Sequence, residues 1–425
     1  MRTFPDVESV QRRTVRTLVT VQMVGGLGVA TGVSVGVLLA SQVLGEEDLS
    51  GLVQSAQVLG SALLAVPAAA ISVRFGRRAG LATVLVIAAF GGVLAVSAAQ
   101  LQQFWLLAIG MGLFGGGTTA GLQARYAAID LAKPEHRGRT LSVVMWATTV
   151  GAVTGPNLME PGGVFGEAIG VQPLAGPLVI GTAGLLLAAV VVWLGLRPDP
   201  LLLARQLDGT TATDGRRKGS TRAGLAAARR SRYALIGLAS VVVAHTAMVT
   251  VMVMTPIHMD HGGASFSVIG FVISVHIAGM FAFSPVMGWL ADRFGRIAVL
   301  VGGAAALLTA TALAGTAPEG HSAALTAGLF LLGLGWSASV VAGSTLLSES
   351  VEVNERPIVQ GTSDLLMGLA AAGGGALAGL VVGNLGYGVL NLGAAVLVMA
   401  LLTAIAATLT TGRRRQPRPS EESVT

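Results

Sequence analysis

The chain has 425 residues, of which 53% are hydrophobic and only 11% are charged, whereas a soluble globular protein carries roughly 25% charged residues. A soluble fold of this length could not bury that much apolar surface, so the composition indicates a protein surrounded by lipid. The absence of cysteine excludes disulfide bonds, thiolate metal sites and thiol nucleophiles. The formal net charge of +6 comes from the N-terminus, alternate loops and the C-terminus, which predicts a topological signal rather than a nucleic-acid surface.

Apolar windows long enough to cross about 30 Å of hydrocarbon occur along the whole chain. The first begins at Thr17, after Arg12, Arg13 and Arg16, and is too long for the core of a signal peptide, so it is predicted to remain as the first span. Helices are expected because an unsatisfied backbone is too costly in lipid. The predicted spans are 17–44, 50–72, 79–99, 104–131, 139–160, 173–196, 233–257, 266–291, 297–316, 322–348, 358–383 and 388–411.

These windows form two sets of six, which predicts an all-α integral membrane protein of twelve spans. We expect an N-terminal six-helix bundle at 1–198, a basic cytoplasmic linker at 199–231, a C-terminal six-helix bundle at 232–412 and a cytoplasmic tail at 413–425. The linker is expected to be a flexible connector that can lie on anionic lipid as a short amphipathic helix, with docking of another protein as the alternative. The polar tail is expected to be disordered.

Basic residues are confined to one set of connections. If both termini are cytoplasmic, the six external loops contain neither lysine nor arginine, and every basic residue except Arg125 lies in cytoplasmic loops, tails or the adjoining span ends. Positive charge on one side fixes the orientation of a membrane protein. The sequence therefore predicts a multi-pass protein of the cell membrane with both termini inside.

Two sequence landmarks recur with one offset. The segment Arg74–Arg77, which reads RFGR, recurs as Arg293–Arg296, and 293 − 74 = 219. An acid followed seven residues later by arginine begins at Asp130 and again at Glu349, and 349 − 130 = 219. The shared offset predicts a tandem duplication, and duplicated membrane units are how many transporters are built, with the substrate path between the halves.

The segment Gly288–Arg296, GWLADRFGR, resembles the loop signature of the major facilitator superfamily, which lies there between the eighth and ninth spans. Its repeat falls between the second and third spans, as it does in that family, and the resemblance covers essentially the whole chain. The resemblance implies two six-helix bundles related by a pseudo-two-fold axis along the membrane normal. It also implies secondary active transport of a small molecule by alternating access around a cavity at the middle of the membrane.

The resemblance assigns roles to the charged motif. It implies a gating latch on the cytoplasmic side, formed by Arg77, Asp130, Gly288, Asp292, Arg293, Gly295, Arg296 and Glu349. Gly288 permits close helix contact, and Asp292 can face the positive N-terminal end of a neighbouring helix. Arg296 is expected to pair with Glu349, and by repeat Arg77 with Asp130. Ala69 and Val73 replace the glycine and aspartate in the first copy, so the latch of the first half is expected to be weakened.

A partial second resemblance concerns the direction of transport. Gly151, Gly155 and Pro156 resemble the start of the antiporter motif of the family, in which glycine and proline shape a bent helix, but the following glycine pair is missing. The arginine that drug exporters of the family carry early in the fourth span is also absent. These residues favour proton-driven export. The alternatives are proton-coupled or facilitated uptake and, from another class, a non-transporting sensor or scaffold of the same fold; no arrangement typical of an enzyme is found.

Two charged residues inside the predicted spans are candidates for coupling. Asp364 is the one acid well inside a span, and Arg125 is the one basic residue there, at a similar depth. A buried charge costs about 2.5–3.5 kcal/mol on insertion scales, so both are functional candidates. We hypothesise that they pair across the two halves when the inside is shut and that protonation of Asp364 favours inward opening. The structural alternative is that Asp364 caps helix ends or simply pairs with an arginine.

Other polar residues inside spans are candidates for the substrate cavity, although helix–helix hydrogen bonds explain them equally well. The candidates are Gln22, Gln57, Trp146, Asn157, His245, His276 and Ser363, together with Gln54. Few internal charges favour a largely apolar or weakly polar small molecule as substrate. No metal site is expected, and His258, Asp260 and His261 are weak candidates only. No cofactor is expected beyond a proton gradient, and the expected partners are the substrate and the lipid bilayer, with no nucleic acid and a monomeric chain.

Overall fold

The structure is a computed structural model that describes residues 6–44, 51–209, 220–320 and 322–413. Within these ranges the chain forms α-helices joined by short connections, and no strand occurs in them. The α-helices are α1 Val7–Leu44, α2 Gly51–Phe75, α3 Arg77–Leu101, α4 Phe104–Phe114, α5 Gly116–Ala127, α6 Arg137–Trp146, α7 Thr148–Asn157, α8 Met159–Ala168, α9 Gly176–Gly195, α10 Pro200–Leu207, α11 Thr221–Arg229, α12 Arg232–His261, α13 Phe266–Ile277, α14 Ser284–Phe294, α15 Arg296–Gly315, α16 Ala323–Glu349, α17 Arg356–Leu385 and α18 Tyr387–Arg413. A π-helix, Ala278–Ala282, continues α13 into α14.

Ten stretches of the described chain are long and apolar enough to cross a membrane. One of them joins α4 to α5, and another joins α13 to α14 through the π-helix. The twelve-span arrangement is completed by α1 and by the segment α6–α8, which is interrupted at Ala147 and Leu158. The broken helices of the fourth, fifth and eighth spans are among those that border the central cavity described below.

The helices pack as two six-span bundles, each with its own apolar core. Leu18, Phe114 and Leu185 are fully buried in the core of the first bundle. Leu307 and Leu329 are fully buried in the core of the second. Small residues bring the backbones together inside each bundle, because lipid gives helices no hydrophobic reason to associate and close van der Waals contact must replace it.

The two bundles meet along α2 with α17 and along α6 with α14. At one contact a Cβ on Gly288 would lie 2.5 Å from the carbonyl oxygen of Gly138 and would also meet Ser142. At the other contact a Cβ on Gly361 would meet Ala69 and lie 2.8 Å from the carbonyl oxygen of Ala65. Gly361 is the repeat equivalent of Ser142, since 361 − 219 = 142. Each contact therefore has one glycine facing one small residue. At the contact of α6 with α14 the glycine is on α14, whereas at the contact of α2 with α17 it is on α17, although α2 is the repeat equivalent of α14.

The linker is more ordered than the sequence suggests. Two helices, α10 and α11, occupy the described part of it, and residues 210–219 lie outside the described residues. Ser220 caps α11 through its side chain, and a Cβ on Gly224 would meet Thr362 of α17 and lie 2.8 Å from the carbonyl oxygen of Ile358. One face of α11 is packed on protein, because its small residues Gly224, Ala227 and Ala228 are buried. Contact of the linker with anionic lipid stays a prediction. The tail from 414 onwards lies outside the described residues.

Candidate functional site

Both copies of the RFGR motif form the same sharp turn. Gly76 and Gly295 each have φ of +90°, and each precedes the first residue of the next helix. This left-handed region is costly for side chains other than glycine. The turn places Arg77 and Arg296 at the start of α3 and α15, with their side chains directed back into the connections between helices. We call the end of the molecule that carries residues 76, 128–136, 196–209, 220–231, 295 and 350–355 the arginine-rich face.

In the second copy the motif aspartate binds the other half of the protein. Asp292 accepts hydrogen bonds from the backbone N–H groups of Gly138 at 2.9 Å and Arg139 at 2.8 Å, at the first turn of α6. These groups have no partner within their own helix, and the positive end of the helix dipole favours an anion there. The contact that the sequence predicts for Asp292 is present, and it joins the second bundle to the first.

Arg296 extends this contact through a second acid. Its guanidinium forms two hydrogen bonds to Glu349, at 2.9 and 3.3 Å, and lies 3.1 Å from Asp292. It also donates to the carbonyl oxygen of Pro134 in the first half at 2.6 Å. Arg137 of the first half lies 3.5 Å from the same Glu349. Arg293, in contrast, is exposed and lies outside this network, so its expected place in the latch stays a prediction.

The first copy forms an equivalent network without an aspartate. Arg77 binds Asp130 with both nitrogens of one edge, at 2.8 and 3.2 Å, and donates to Gln360 of α17 at 2.5 Å. Val73 stands where the second copy has Asp292. The helix it faces, α17, has Pro357 at the repeat position of Gly138, since 357 − 138 = 219. Proline has no N–H group, so an aspartate at 73 would lack one of the two donors that Asp292 uses.

The linker contributes a connection where the aspartate is missing. Arg205 of α10 donates to the carbonyl oxygen of Val73 at 2.7 Å and to that of Asn354 at 3.5 Å, which joins the two halves. Asp199, which caps α10, also accepts from the backbone N–H of Arg78 at 2.7 Å. The linker thus supports the first copy, and the sequence gives no sign of this because the contacts are made to backbone atoms.

A cavity of about 550 Å³ lies between the bundles, beyond this network. Its walls come from both halves, and it reaches from Arg125 and Asp364, near the arginine-rich face, to Gln54, one turn from the opposite end of α2. Apart from these residues, the polar lining residues are Gln22, Gln57, Ser61, Thr118, Thr148, His245 and Trp336. The rest of the lining is apolar or glycine.

Arg125 and Asp364 meet on the floor of this cavity. The Nη2 atom of Arg125 donates to Oδ1 of Asp364 at 2.8 Å and to the hydroxyl of Tyr126 at 3.2 Å. The two side chains are only 2% and 1% exposed. Among the described residues, Nε and Nη1 of Arg125 and Oδ2 of Asp364 have no hydrogen-bond partner. The structure thus brings together the two charged residues expected to pair across the halves, and it leaves each with unused hydrogen-bonding capacity.

The remaining polar candidates divide into those that line the cavity and those that do not. Gln22, Gln57 and His245 line it as expected. Four other candidates, Trp146, Asn157, His276 and Ser363, are not among its lining residues. Trp146 is 40% exposed, and the Nδ1 atom of His276 lies 2.9 Å from the carbonyl oxygen of Leu329 inside the second bundle. Sequence alone could not tell which side of each helix faces the other half.

The antiporter-like stretch packs closely against α1. A Cβ on Gly151 or Gly155 would meet α1 at Gly26 or Ala30, so these glycines allow α7 to lie against α1. The helix stops at Asn157, directly after Pro156, whose side chain lies outside the described residues.

His258 stacks on Tyr387 with ring centroids 4.2 Å apart, whereas Asp260 and His261 are exposed on the following turn of α12. The three weak metal candidates do not converge, and no group of three possible ligands occurs within the described ranges.

Sequence reasoning missed Gln360, Trp336 and Phe281. Gln360 accepts a hydrogen bond from Arg77 and donates one to Ser348 at 2.9 Å, so it connects the first copy of the motif to α16. Phe281 and Trp336 meet edge to face, with centroids 5.5 Å apart, on one wall of the cavity. The uncommon occurrence of tryptophan deep inside a span was a usable signal for the aromatic wall.

A duplicated helical protein with a cavity between its halves has the architecture of a secondary transporter. The chain belongs to the major facilitator superfamily, whose family model matches residues 18–262 and 236–425. It is 36% identical to the uncharacterized MFS-type transporter YddS of Bacillus subtilis over 93% of this chain and 90% of that protein. It is also 26% identical to the riboflavin transporter RfnT of Brucella anthropi, over 89% of this chain and 92% of that one.

The fold agrees with solved structures at low sequence identity. The crystal structure of the human organic anion transporter MFSD10 matches with a TM-score of 0.74 and 17% identity, over 93% of this chain and 99% of that one. FucP in its outward conformation matches with a TM-score of 0.66 and 16% identity, over 95% and 99%. The chain is therefore a multi-pass membrane transporter of a small molecule and not an enzyme.

Proposed function

We propose that the protein is a proton-coupled exporter, oriented with its arginine-rich face in the cytoplasm of a cell. The orientation follows from the positive-inside rule, because the loops of the opposite end lack lysine and arginine. The observation that carries the coupling is the buried pair of Arg125 and Asp364, which joins the two halves at the floor of the cavity. Export rather than uptake is favoured by the glycine-rich, broken fifth span.

Coupling follows from the charge of the pair. While Asp364 is ionised, its attraction to Arg125 holds the halves together near the arginine-rich face, in a site where low dielectric strengthens the interaction. Protonation removes the negative charge and leaves Arg125 without a counter-ion, so the closed arrangement loses stability. The other titratable and charged groups close enough to influence the pair are Tyr126, Arg77 and His245. Acid is therefore expected to favour opening towards the cytoplasm.

The absence of cysteine allows a test that needs no known substrate. A single thiol is introduced as Ala152→Cys, at a position on the wall of the cavity. Its rate of modification by a membrane-impermeant reagent is measured from each side, in right-side-out and everted vesicles, across a range of pH. In the Ala152→Cys protein, the ratio of the labelling rate from the arginine-rich face to the rate from the opposite face is expected to rise as the pH falls. The ratio is used because the reactive thiolate becomes rarer in acid, which slows the reaction from both sides alike.

Two variants and a control decide whether the pair is responsible. Asp364→Asn and Arg125→Ala are each expected to remove the pH dependence of this ratio, because neither retains an ion pair that protonation can break. The control is Glu167→Gln, which neutralises an exposed acid near the opposite end. It is expected to show the same pH dependence as Ala152→Cys without a second substitution. If both pair variants keep the pH dependence seen with Ala152→Cys alone, the coupling role is refuted.

The direction of transport needs a transported compound. Everted vesicles carrying the protein are loaded with acid inside and screened for accumulation of candidate compounds, with riboflavin included because a relative is named as a riboflavin transporter. Accumulation driven by the acidic lumen supports export. Accumulation only in right-side-out vesicles, with proton entry, supports the alternative of proton-coupled uptake.

A further inference from the structure

The cavity has two chemically different walls, and together they define a ligand. One wall is aromatic and comes from the second bundle, and the other carries amide groups and comes from the first. The inference drawn from them rests on the proposal that this cavity is the transport site.

The aromatic wall offers ring surface and one donor. Trp336 donates its Nε1–H to Nδ1 of His245 at 2.9 Å. The indole nitrogen can only donate, so Nδ1 of His245 must accept, and the imidazole is then neutral with its proton on Nε2. Because the indole N–H is already used, Trp336 and the neighbouring Phe281 present apolar ring surface to the cavity, and His245 supplies an N–H group.

The amide wall offers acceptors. Gln54 and Gln57 are three residues apart on α2 and so share one face of that helix. The Oε1 atom of each is buried and has no hydrogen-bond partner among the described residues. Gln57 is only 2% exposed, and an unpartnered buried acceptor is costly enough that it points to a ligand donor.

The charge of the lining restricts the ligand further. Among the described lining residues, the formally charged ones are Arg125 and Asp364, and they neutralise each other at 2.8 Å. A ligand with a net charge would have to enter an apolar cavity without a free counter-charge, which is strongly unfavourable. The volume of about 550 Å³ lies within the range of pockets that hold small organic molecules.

We propose that the cavity binds an uncharged, planar heteroaromatic molecule whose ring packs on Phe281 and Trp336 and whose N–H or O–H donors face Gln54 and Gln57. A carbonyl or ring nitrogen of the same molecule accepts from Nε2–H of His245. The ring contributes affinity through stacking and burial. The edge donors contribute selectivity, because a site with buried acceptors discriminates strongly against an analogue that cannot donate.

The test compares ligands on the unaltered full-length protein in detergent. Lumichrome is a neutral tricyclic compound with two ring N–H groups, and its N1,N3-dimethyl derivative lacks both. Binding is measured by the rise in thermal unfolding temperature and by quenching of tryptophan fluorescence. Lumichrome is expected to bind at least about tenfold more tightly than the dimethyl derivative. Equal binding of the two, or preference for the planar cation ethidium or for the sugar xylose, would overturn the proposal.

Variants locate the binding. Gln57→Leu is expected to weaken lumichrome about tenfold and to leave the dimethyl derivative unaffected, whereas Trp336→Leu is expected to weaken both. Gln123→Leu is the matched control, because Gln123 is a buried glutamine that donates to the carbonyl oxygen of Ala65 and does not line the cavity. Equal loss of lumichrome affinity in the Gln57 variant and the control would contradict the assignment.

The outcome separates this inference from the proposed function. The pH-dependent labelling of Ala152→Cys requires no ligand, so it can support proton coupling whatever lumichrome does. Normal labelling with no preference for lumichrome refutes the ligand class alone. Selective binding of lumichrome, together with a ratio of labelling rates that is independent of pH, supports the ligand class and refutes proton coupling through the pair.

Discussion

Replacement of Asp292 by alanine is expected to open the arginine-rich face. The carboxylate accepts two backbone hydrogen bonds from the first turn of α6, at 2.9 and 2.8 Å, across the boundary between the bundles. Loss of a side-chain cap costs about 0.5–2 kcal/mol, and loss of an anion at the positive end of a helix costs about 0.3–1 kcal/mol more. The closed arrangement should therefore lose about 2 kcal/mol, which corresponds to a shift of roughly 30-fold in the equilibrium between closed and open states.

The labelling of Ala152→Cys measures this shift directly. With Asp292→Ala, the rate from the arginine-rich side should rise by up to about 30-fold while the open state stays a minor population. Asp292→Asn retains an acceptor but loses the charge, so its effect should be only a few-fold. The matched control is Val73→Ala at the repeat position, which has no carboxylate to lose. An unchanged rate in Asp292→Ala, or an equal rise in both alanine variants, would refute the reasoning.

Three further predictions concern stability and packing. Gly76→Ala should lower the unfolding temperature more than Gly295→Ala. Both substitutions place a side chain at a strained φ of +90°, but the added Cβ would also clash with a carboxylate at position 76 and would meet nothing at position 295. Asp364→Asn should destabilise the detergent-purified protein by about 3–5 kcal/mol by leaving Arg125 unpaired, whereas Arg125→Met combined with Asp364→Leu should recover most of that loss. Gly288→Ala should hold α6 and α14 apart and raise labelling from the arginine-rich side, because its Cβ would lie 2.5 Å from a carbonyl oxygen of α6.

The first copy of the motif shows how a duplicated sequence diverges while its contacts are kept. The sequence predicts a weakened first latch from Ala69 and Val73. In the structure the missing glycine is replaced by Gly361 on the partner helix, and Arg205 of the linker binds the backbone of Val73. Whether the first latch is weaker stays a prediction, since the same end of the molecule is held by different residues.

The amino-acid sequence alone predicts much of the architecture. Apolar windows of membrane length, the confinement of arginine to alternate loops and the offset of 219 residues predict a duplicated helical membrane transporter. These signals are local or periodic, so they do not depend on how helices are rotated. The resemblance of the charged motif to the family signature implies the pair Arg296–Glu349, and the repeat extends it to Arg77–Asp130; both pairs are present in the structure.

The tertiary structure decides which face of each helix meets the cavity. In a span surrounded by lipid on one side and apolar protein on the other, hydrophobic periodicity is weak, so the sequence cannot separate Gln57, which faces the cavity, from His276, which is buried inside a bundle. Packing of small residues, not polarity, sets the rotation of these helices. Contacts to backbone atoms, such as those of Arg205, depend on the fold alone, because every residue has the same carbonyl group.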